Sequence, residues 1–83
     1  MTVPRELEMA IFNDMTSISS IEATYSDGTI VAGFAKTIKP LPFDVTLCKH
    51  TVNRGENPYV QLDFRRIIKD TLKYHDGQIK TFE

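Results

Sequence analysis

The stretch YSDGTI at residues 25–30 returns almost unchanged as YHDGQI at residues 74–79, and these two copies decide the fold that the sequence predicts. Each copy contains Asp-Gly, the preferred pair for a two-residue type I′ turn, because both central positions of that turn need positive φ. Each copy therefore predicts a β-hairpin, one near each end of the sheet. Two short matches are too few to indicate a solenoid of repeats.

The predicted turn also sets the register of the first hairpin. With a two-residue turn at 27–28, Tyr25 lies opposite Ile30 and Ile21 lies opposite Phe34. Side chains directly opposite each other in an antiparallel pair share one face of the sheet. We therefore expect these four side chains to face the core.

The same register rule applies to the second hairpin, whose predicted two-residue turn is at residues 76–77. Tyr74 lies opposite Ile79, and Lys73 lies opposite Lys80 on the other face. Like charges placed directly opposite each other are mildly unfavourable. We expect that face to be exposed to water or bound to something negative.

An amphipathic helix is predicted at residues 4–14, before the first strand. Leu7, Ile11 and Met15 recur every four residues and form an apolar stripe that should dock on the sheet. Thr2 is the predicted N-cap, because a Thr hydroxyl accepts a hydrogen bond from one of the first free N–H groups of a helix.

The remaining segments predict strands at 45–52 and 59–64, and the KPLP sequence at 39–42 predicts a loop. No helical segment joins the strands, as a parallel sheet would require. We expect a mainly β (α+β) fold in one domain over 1–83, with the helix followed by a small antiparallel SH3-like or Sm-like β-barrel over 18–83. The predicted core comprises Leu7, Ile11, Ile21, Tyr25, Ile30, Phe34, Leu47, Leu62 and Leu72.

Several classes of protein are disfavoured by the composition. No apolar run reaches the roughly 18 residues that cross a bilayer, and the N-terminal stretch does not have the pattern of a signal peptide. We therefore expect a cytoplasmic protein with no membrane contact. The single cysteine, Cys48, agrees with a reducing compartment.

Charge is divided unevenly along the chain. Residues 1–34 contain one base and five acids, a net charge of −4, whereas residues 35–83 contain nine bases and six acids, a net charge of +3. The acids of the first half form a candidate surface for electrostatic contact with a partner, and they are Glu6, Glu8, Asp14, Glu22 and Asp27.

The basic half supports an alternative hypothesis, direct binding of RNA or another single-stranded nucleic acid through residues 64–80. Aromatic side chains between basic ones can stack on bases, and the candidate residues are Phe64, Arg65, Arg66, Lys69, Lys73, His75 and Lys80. A solvated face beside core aromatics is the favoured interpretation of this stretch, because Asp63, Asp70 and Asp76 lie within it.

No catalytic or cofactor-binding pattern is present in the sequence. Cys48 and His50 could form half of a metal site on a strand, but no second pair lies at a usable spacing, so we predict neither a metal nor another cofactor. The four glycines are widely separated and form no phosphate-binding loop. We expect a non-enzymatic binding module.

The order of features resembles the Rof family, Sm-like proteins that inhibit Rho-dependent transcription termination. The resemblance rests on Leu7-Glu8-Met9-Ala10 in the helix, Asp27-Gly28 in the turn, and Leu62-Asp63 followed by Ile67. The stretch YSDGTIVAGFAKTIKP at 25–40 is also similar to the YolD-like family, which has an Sm-like barrel. The Rof resemblance implies a regulatory protein that binds a protein partner, because an acidic surface of the family covers the RNA-binding surface of Rho. At the matching positions this surface contains Glu8 and Asp27, and Glu6, Asp14 and Glu22 are their charge neighbours.

Overall fold

The computed structural model of the protein describes residues 3–40 and 43–83 and shows one N-terminal helix followed by six antiparallel strands. The strands form one sheet in the order β4-β3-β2-β1-β5-β6. The mainly β architecture is therefore confirmed, while Thr2 lies outside the described residues. The elements are α1 (Val3–Asn13), β1 (Ile18–Tyr25), β2 (Ile30–Pro40), β3 (Phe43–Cys48), β4 (Tyr59–Gln61), β5 (Ile67–Tyr74) and β6 (Ile79–Phe82).

The first hairpin turns where the sequence predicts, but with a different loop. Tyr25 donates its N–H to the Thr29 carbonyl at 2.8 Å, and Gly28 donates to the Tyr25 carbonyl at 3.0 Å. Gly28 has a φ of +90°, whereas no described residue other than glycine has positive φ. This is a three-residue loop, a type I turn followed by a glycine bulge, and the type I′ prediction is wrong.

The second hairpin is built in the same way. Tyr74 donates its N–H to the Gln78 carbonyl at 2.9 Å, Gly77 donates to the Tyr74 carbonyl at 3.0 Å, and the φ of Gly77 is +92°. In both loops the Asp carboxylate accepts a hydrogen bond from the N–H two residues later, at 2.9 Å. The repeated sequence therefore forms the same type of loop twice. In each copy the Asp side chain accepts a hydrogen bond that closes the turn, and Gly occupies the bulge.

The additional loop residue corrects the predicted register of the first hairpin. Ile30 pairs with Thr24, Phe34 pairs with Ser20, and Ile21 faces Gly33. A one-residue slip moves every side chain of a strand to the opposite face. Ile30 and Phe34 are accordingly 63% and 52% exposed, so their predicted place in the core is wrong.

The same slip changes the second hairpin. Lys73 pairs with Ile79 and Leu72 pairs with Lys80, so the two lysines predicted to oppose each other are not partners. Ile79 is 61% exposed instead of facing Tyr74. The like-charge conflict expected from the sequence does not exist.

Helix α1 covers the sheet where β5 and β6 lie. Leu7 and Ile11 are fully buried in the core, as the apolar stripe predicts, whereas Met15 lies beyond the end of the helix and is only partly buried. The other buried members of the predicted core are Ile21, Tyr25, Leu47, Leu62 and Leu72.

Three predicted boundaries need correction. β2 continues to Pro40, which pairs with Phe43, so residues 39 and 40 belong to a strand, while the rest of the predicted loop, residues 41 and 42, lies outside the described part of the chain. β3 ends at Cys48, and β4 contains only three residues.

The sheet is bent, as the connection from β4 to β5 shows. Three strands separate β4 from β5, so a flat sheet would hold them about 19 Å apart. Residues 62–66 form the connection. At its start, Leu62 donates its N–H to the Val45 carbonyl on β3 at 3.0 Å. At its end, the Arg66 carbonyl accepts a hydrogen bond at 2.8 Å from the N–H of Ser26, which lies just after β1. The four residue steps from Leu62 to Arg66 span at most about 14 Å, so the sheet is curved. The sheet stays open, since no ladder among the described residues joins β4 to β5 or β6.

Candidate protein-binding surfaces

The repeated tyrosines lie beneath two clusters that contain both acids and bases. Arg66 donates to Asp27 at 2.6 Å, and its guanidinium carbon lies 4.8 Å from the centre of the Tyr25 ring. Asp63 donates its N–H to the Tyr25 hydroxyl at 3.0 Å. This first cluster joins the first hairpin to the connection between β4 and β5, and it pairs a predicted acidic site residue with a predicted basic one.

The second cluster joins the end of α1 to the last hairpin. The Tyr74 hydroxyl donates to Asp14 at 2.6 Å, the Lys80 ammonium lies 3.5 Å from the same carboxylate, and that ammonium is also 5.2 Å from the centre of the Tyr74 ring. Asp14 is therefore used within the fold, and much of its charge is balanced by Lys80.

Three pKa values are displaced in these clusters. The hydrogen bond from Tyr74, with a further contribution from Lys80, holds the pKa of Asp14 below its usual value. The Thr29 N–H, followed by Arg66, does the same for the pKa of Asp27. Burial and the hydrogen bond to Asp14 raise the pKa of Tyr74 to about 12. Near neutral pH, Asp14 and Asp27 are therefore ionised and Tyr74 is neutral.

The remaining predicted acids lie on two separate surfaces. Glu22 is exposed on β1, between Ala32 and Thr71, on the opposite face of the sheet from its buried neighbours in the strand. Glu6 is exposed and Glu8 is partly buried on α1, which covers the core face. The structure thus places both Glu6 and Glu8 on α1, where residues two apart point in different directions, and leaves Glu22 on the other side of the sheet.

The helix carries a second apolar surface that the sequence interpretation missed. Met9 and Phe12 are 60% and 52% exposed, and with Glu8 and Asn13 they line an open depression of 340 Å³. The two side chains lie three residues apart and therefore share one side of the helix, off the Leu7 and Ile11 stripe. Their spacing was a usable signal, because neither residue fits the stripe that docks on the sheet. We call Glu6, Glu8, Met9 and Phe12 the α1 face.

The predicted basic site is largely balanced by acids. Arg66 pairs with Asp27 and Lys80 with Asp14, while Lys69 lies 3.5 Å from Glu83 and Arg65 lies 3.9 Å from Asp63. Lys73 and His75 are exposed, and Phe64 is partly buried against the core. Exposed pairs such as these add little stability, but they reduce the positive field that a polyanion would meet.

A groove opens between β2 and the chain that follows β3. It has a volume of 570 Å³ and is lined by Ile30, Val31, Ala32, Lys49, His50, Thr51 and Val60. The His50 ring packs edge-on against Phe34, with ring centres 4.3 Å apart and planes at 77°. Cys48 is partly buried and ends β3, so it does not share a strand face with His50 as the half metal site would need.

Gly33 marks the point at which the groove closes. A Cβ at this position would lie 2.5 Å from the Cys48 carbonyl oxygen and 2.8 Å from its carbon, closer than real contacts allow. The ladder between β2 and β3 does not continue past Phe34, and the groove is lined by residues 30–32 on one side and residues 49–51 on the other. The groove therefore ends at a contact between the backbones of Gly33 and Cys48.

The interior contains a carboxyl group that the sequence interpretation placed on a solvated face. Asp70 is fully buried on β5, between Ala23 on β1 and Phe82 on β6, and neither carboxyl oxygen has a hydrogen-bond partner within residues 3–40 and 43–83. Burial, and then the charge of Glu22, raise the pKa of Asp70 to about 8. The sequence contained a signal for the burial of Asp70. Side chains alternate between the two faces of a strand, so Asp70 on β5 shares a face with the buried Leu72.

No group of three or more His, Cys, Asp or Glu side chains with metal-binding geometry occurs in the described part of the chain. Among the same residues, no helix is both long and apolar enough to cross a membrane. Comparisons of the chain with family models, with curated proteins and with solved structures found no match.

Proposed function

We propose that the protein is a small, non-enzymatic regulatory module that binds a protein partner through the α1 face. The observation that carries the proposal is the exposure of Met9 and Phe12 beside Glu6 and Glu8, since exposed apolar side chains bordered by charge are typical of protein-binding surfaces. Neither glutamate forms an ion pair with any described residue, so both charges are free to meet a partner.

The chemistry of the α1 face specifies the partner. A complementary surface has an apolar cleft for Met9 and Phe12 and a basic rim for the two glutamates. RNA-binding proteins have basic surfaces of this kind, and the resemblance to the Rof family points to a Rho-like transcription factor in the cytoplasm. Asp14 and Asp27 already balance Lys80 and Arg66, so we assign the main electrostatic contribution to Glu6 and Glu8.

The finer fold proposed is a partly closed barrel of the Sm-like or SH3-like kind. The short, turn-containing connection over residues 62–66 supports it, because it draws β4 and β5 together across a curved sheet. Such a barrel leaves α1 on its surface, available to a partner.

The test is capture of partners from nuclease-treated lysate by immobilised protein, followed by mass spectrometry. We expect the double variant Glu6→Lys/Glu8→Lys, and separately Met9→Ser/Phe12→Ser, to lose the main captured protein while keeping the unfolding midpoint. The control variant Arg65→Glu/Lys69→Glu changes two exposed bases and should keep that capture. Binding of single-stranded RNA that falls steeply with salt and is lost only in the control variant would establish the nucleic-acid alternative instead.

A further inference from the structure

The first residues of β2 have no paired strand on the β3 side among the described residues. The pairing of β2 with β1 covers Ile30 to Phe34, but the pairing with β3 begins only at Phe34. No main-chain hydrogen bond connects Ile30 or Ala32 to the loop after Cys48 in the part of the chain that the structure describes. The first residues of β2 are therefore a free sheet edge inside the fold, at the wall of the 570 Å³ groove.

The register identifies which backbone groups are free. Tyr25 donates its N–H to Thr29, so this pair is hydrogen-bonded, and hydrogen-bonded pairs alternate with non-bonded pairs along an antiparallel ladder. The N–H and C=O of Val31 consequently point toward β1, whereas those of Ile30 and Ala32 point away from it. Two donors and two acceptors, spaced as in a strand, thus face the groove.

The lining of the groove suits an extended chain. Val31 and Val60 are partly buried at its inner side, and the exposed Ile30 lies at its outer side, so successive side chains of an added strand find apolar surface in both directions. Lys49 is paired with Glu56 at 2.7 Å and places little free charge at the rim.

We propose that the free edge of β2 at Ile30–Ala32 binds an extended apolar peptide segment of a partner protein as an added β-strand. Only an extended backbone satisfies four main-chain groups at this spacing, and strand addition to a sheet edge is a known mode of peptide recognition. The inward side chains of the segment are apolar and contact Val31 and Val60. This site lies at β2 and β3, whereas α1 packs against β5 and β6, so it is distinct from the α1 face.

The closed end of the groove favours a single peptide over a second copy of the chain. The groove ends at the contact between Gly33 and the Cys48 carbonyl, directly after Ala32. The edge strand of a folded sheet brings its neighbouring strand and turn with it, whereas an unstructured segment enters alone.

The experiment selects binders from a displayed library of random peptides of about seven residues and maps them on the isotopically labelled protein by NMR. In the free protein we expect the Ile30 and Ala32 amides to exchange rapidly with solvent and the Val31 and Gly33 amides to exchange slowly. Addition of a selected peptide should slow exchange at Ile30 and Ala32 at least about tenfold, because each gains a hydrogen bond.

Two changes each remove proposed hydrogen bonds, the first in the peptide and the second in the protein. N-methylation of the peptide at alternate amides should weaken binding about tenfold in one register only, and it leaves the protein unaltered. Ala32→Pro removes an N–H that faces the groove and not β1, so the ladder with β1 should persist. The variant Met9→Ser/Phe12→Ser should bind the peptide unchanged, which separates this site from the α1 face.

Three results would overturn the proposal. The first is a library that yields no binder, or binders whose effects map outside the groove. The second is binding that tolerates N-methylation in both registers. The third is slow exchange at Ile30 and Ala32 in the free protein with elution as a dimer, which would make a second copy the occupant.

Discussion

Asp70 should make the protein less stable as the pH rises through the range in which most proteins are most stable. Its carboxyl group is fully buried and lacks a hydrogen-bond partner among the described residues, and its pKa is raised from 3.8 to about 8. The folded state therefore holds a proton that the unfolded state releases. The change that tests this is Asp70→Asn, which keeps the shape of the side chain and cannot ionise.

The sign and size of the effect follow from proton linkage. Between about pH 4 and pH 8 the folded protein binds more protons than the unfolded chain, so the free energy of unfolding falls with rising pH. The limiting slope is about 1.4 kcal/mol per pH unit, or about 2.7 kcal/mol between pH 5 and pH 7. For a domain of this size such a loss lowers the thermal midpoint by about 10 °C or more. Below pH 4 and above pH 8 this contribution no longer changes with pH.

The assay is urea unfolding followed by circular dichroism at several values of pH from 5 to 8. We expect the wild type to lose stability across this range and Asp70→Asn to lose much less. The matched control is Asp76→Asn, which removes an exposed carboxylate from the second hairpin and should keep the wild-type slope. Equal slopes for wild type and Asp70→Asn would refute the inference that Asp70 is buried and protonated.

Three further predictions test the fold by urea unfolding midpoints. Ile11→Ala should destabilise the protein by about 2 to 4 kcal/mol, because Ile11 is fully buried where α1 meets the sheet, and an unchanged midpoint would mean that α1 is undocked. Gly33→Ala should cost about 1 to 3 kcal/mol, since the new Cβ meets the Cys48 carbonyl, and a neutral result would contradict the closed end of the groove. Gly28→Val should cost about 1 to 3 kcal/mol because a β-branched residue is strained at a φ of +90°, and a stabilising effect would contradict the bulge.

The two hairpins show what local sequence can predict and where it stops. Asp-Gly correctly marked both turns, because either kind of loop needs Gly in the left-handed region. It did not distinguish a two-residue from a three-residue loop. Since one residue reverses the faces of a strand, this single ambiguity placed Ile30 and Phe34 in the core, while the apolar stripe of α1, which does not depend on a turn, was predicted correctly.

The candidate surfaces divide in the same way. Glu6 and Glu8 were accessible from charge alone, and Met9 and Phe12 could have been recognised because they lie off the docking stripe. The pairing of Asp27 with Arg66, 39 residues apart, depends on the tertiary fold. The free edge of β2 exists because the pairing of β2 with β3 stops at Phe34. The position at which two strands stop pairing cannot be predicted from a local sequence pattern.

The most direct measurement of the central claim is site-specific photo-crosslinking from the α1 face. A benzophenone amino acid replaces Phe12 in one version of the protein and Arg65, an exposed residue of the basic stretch, in the other. After irradiation in nuclease-treated lysate, we expect a discrete protein adduct from position 12 that disappears with Glu6→Lys/Glu8→Lys, and none from position 65. An adduct from position 65 alone, or RNA crosslinked there before nuclease treatment with nothing at position 12, would contradict a protein-binding module that acts through α1.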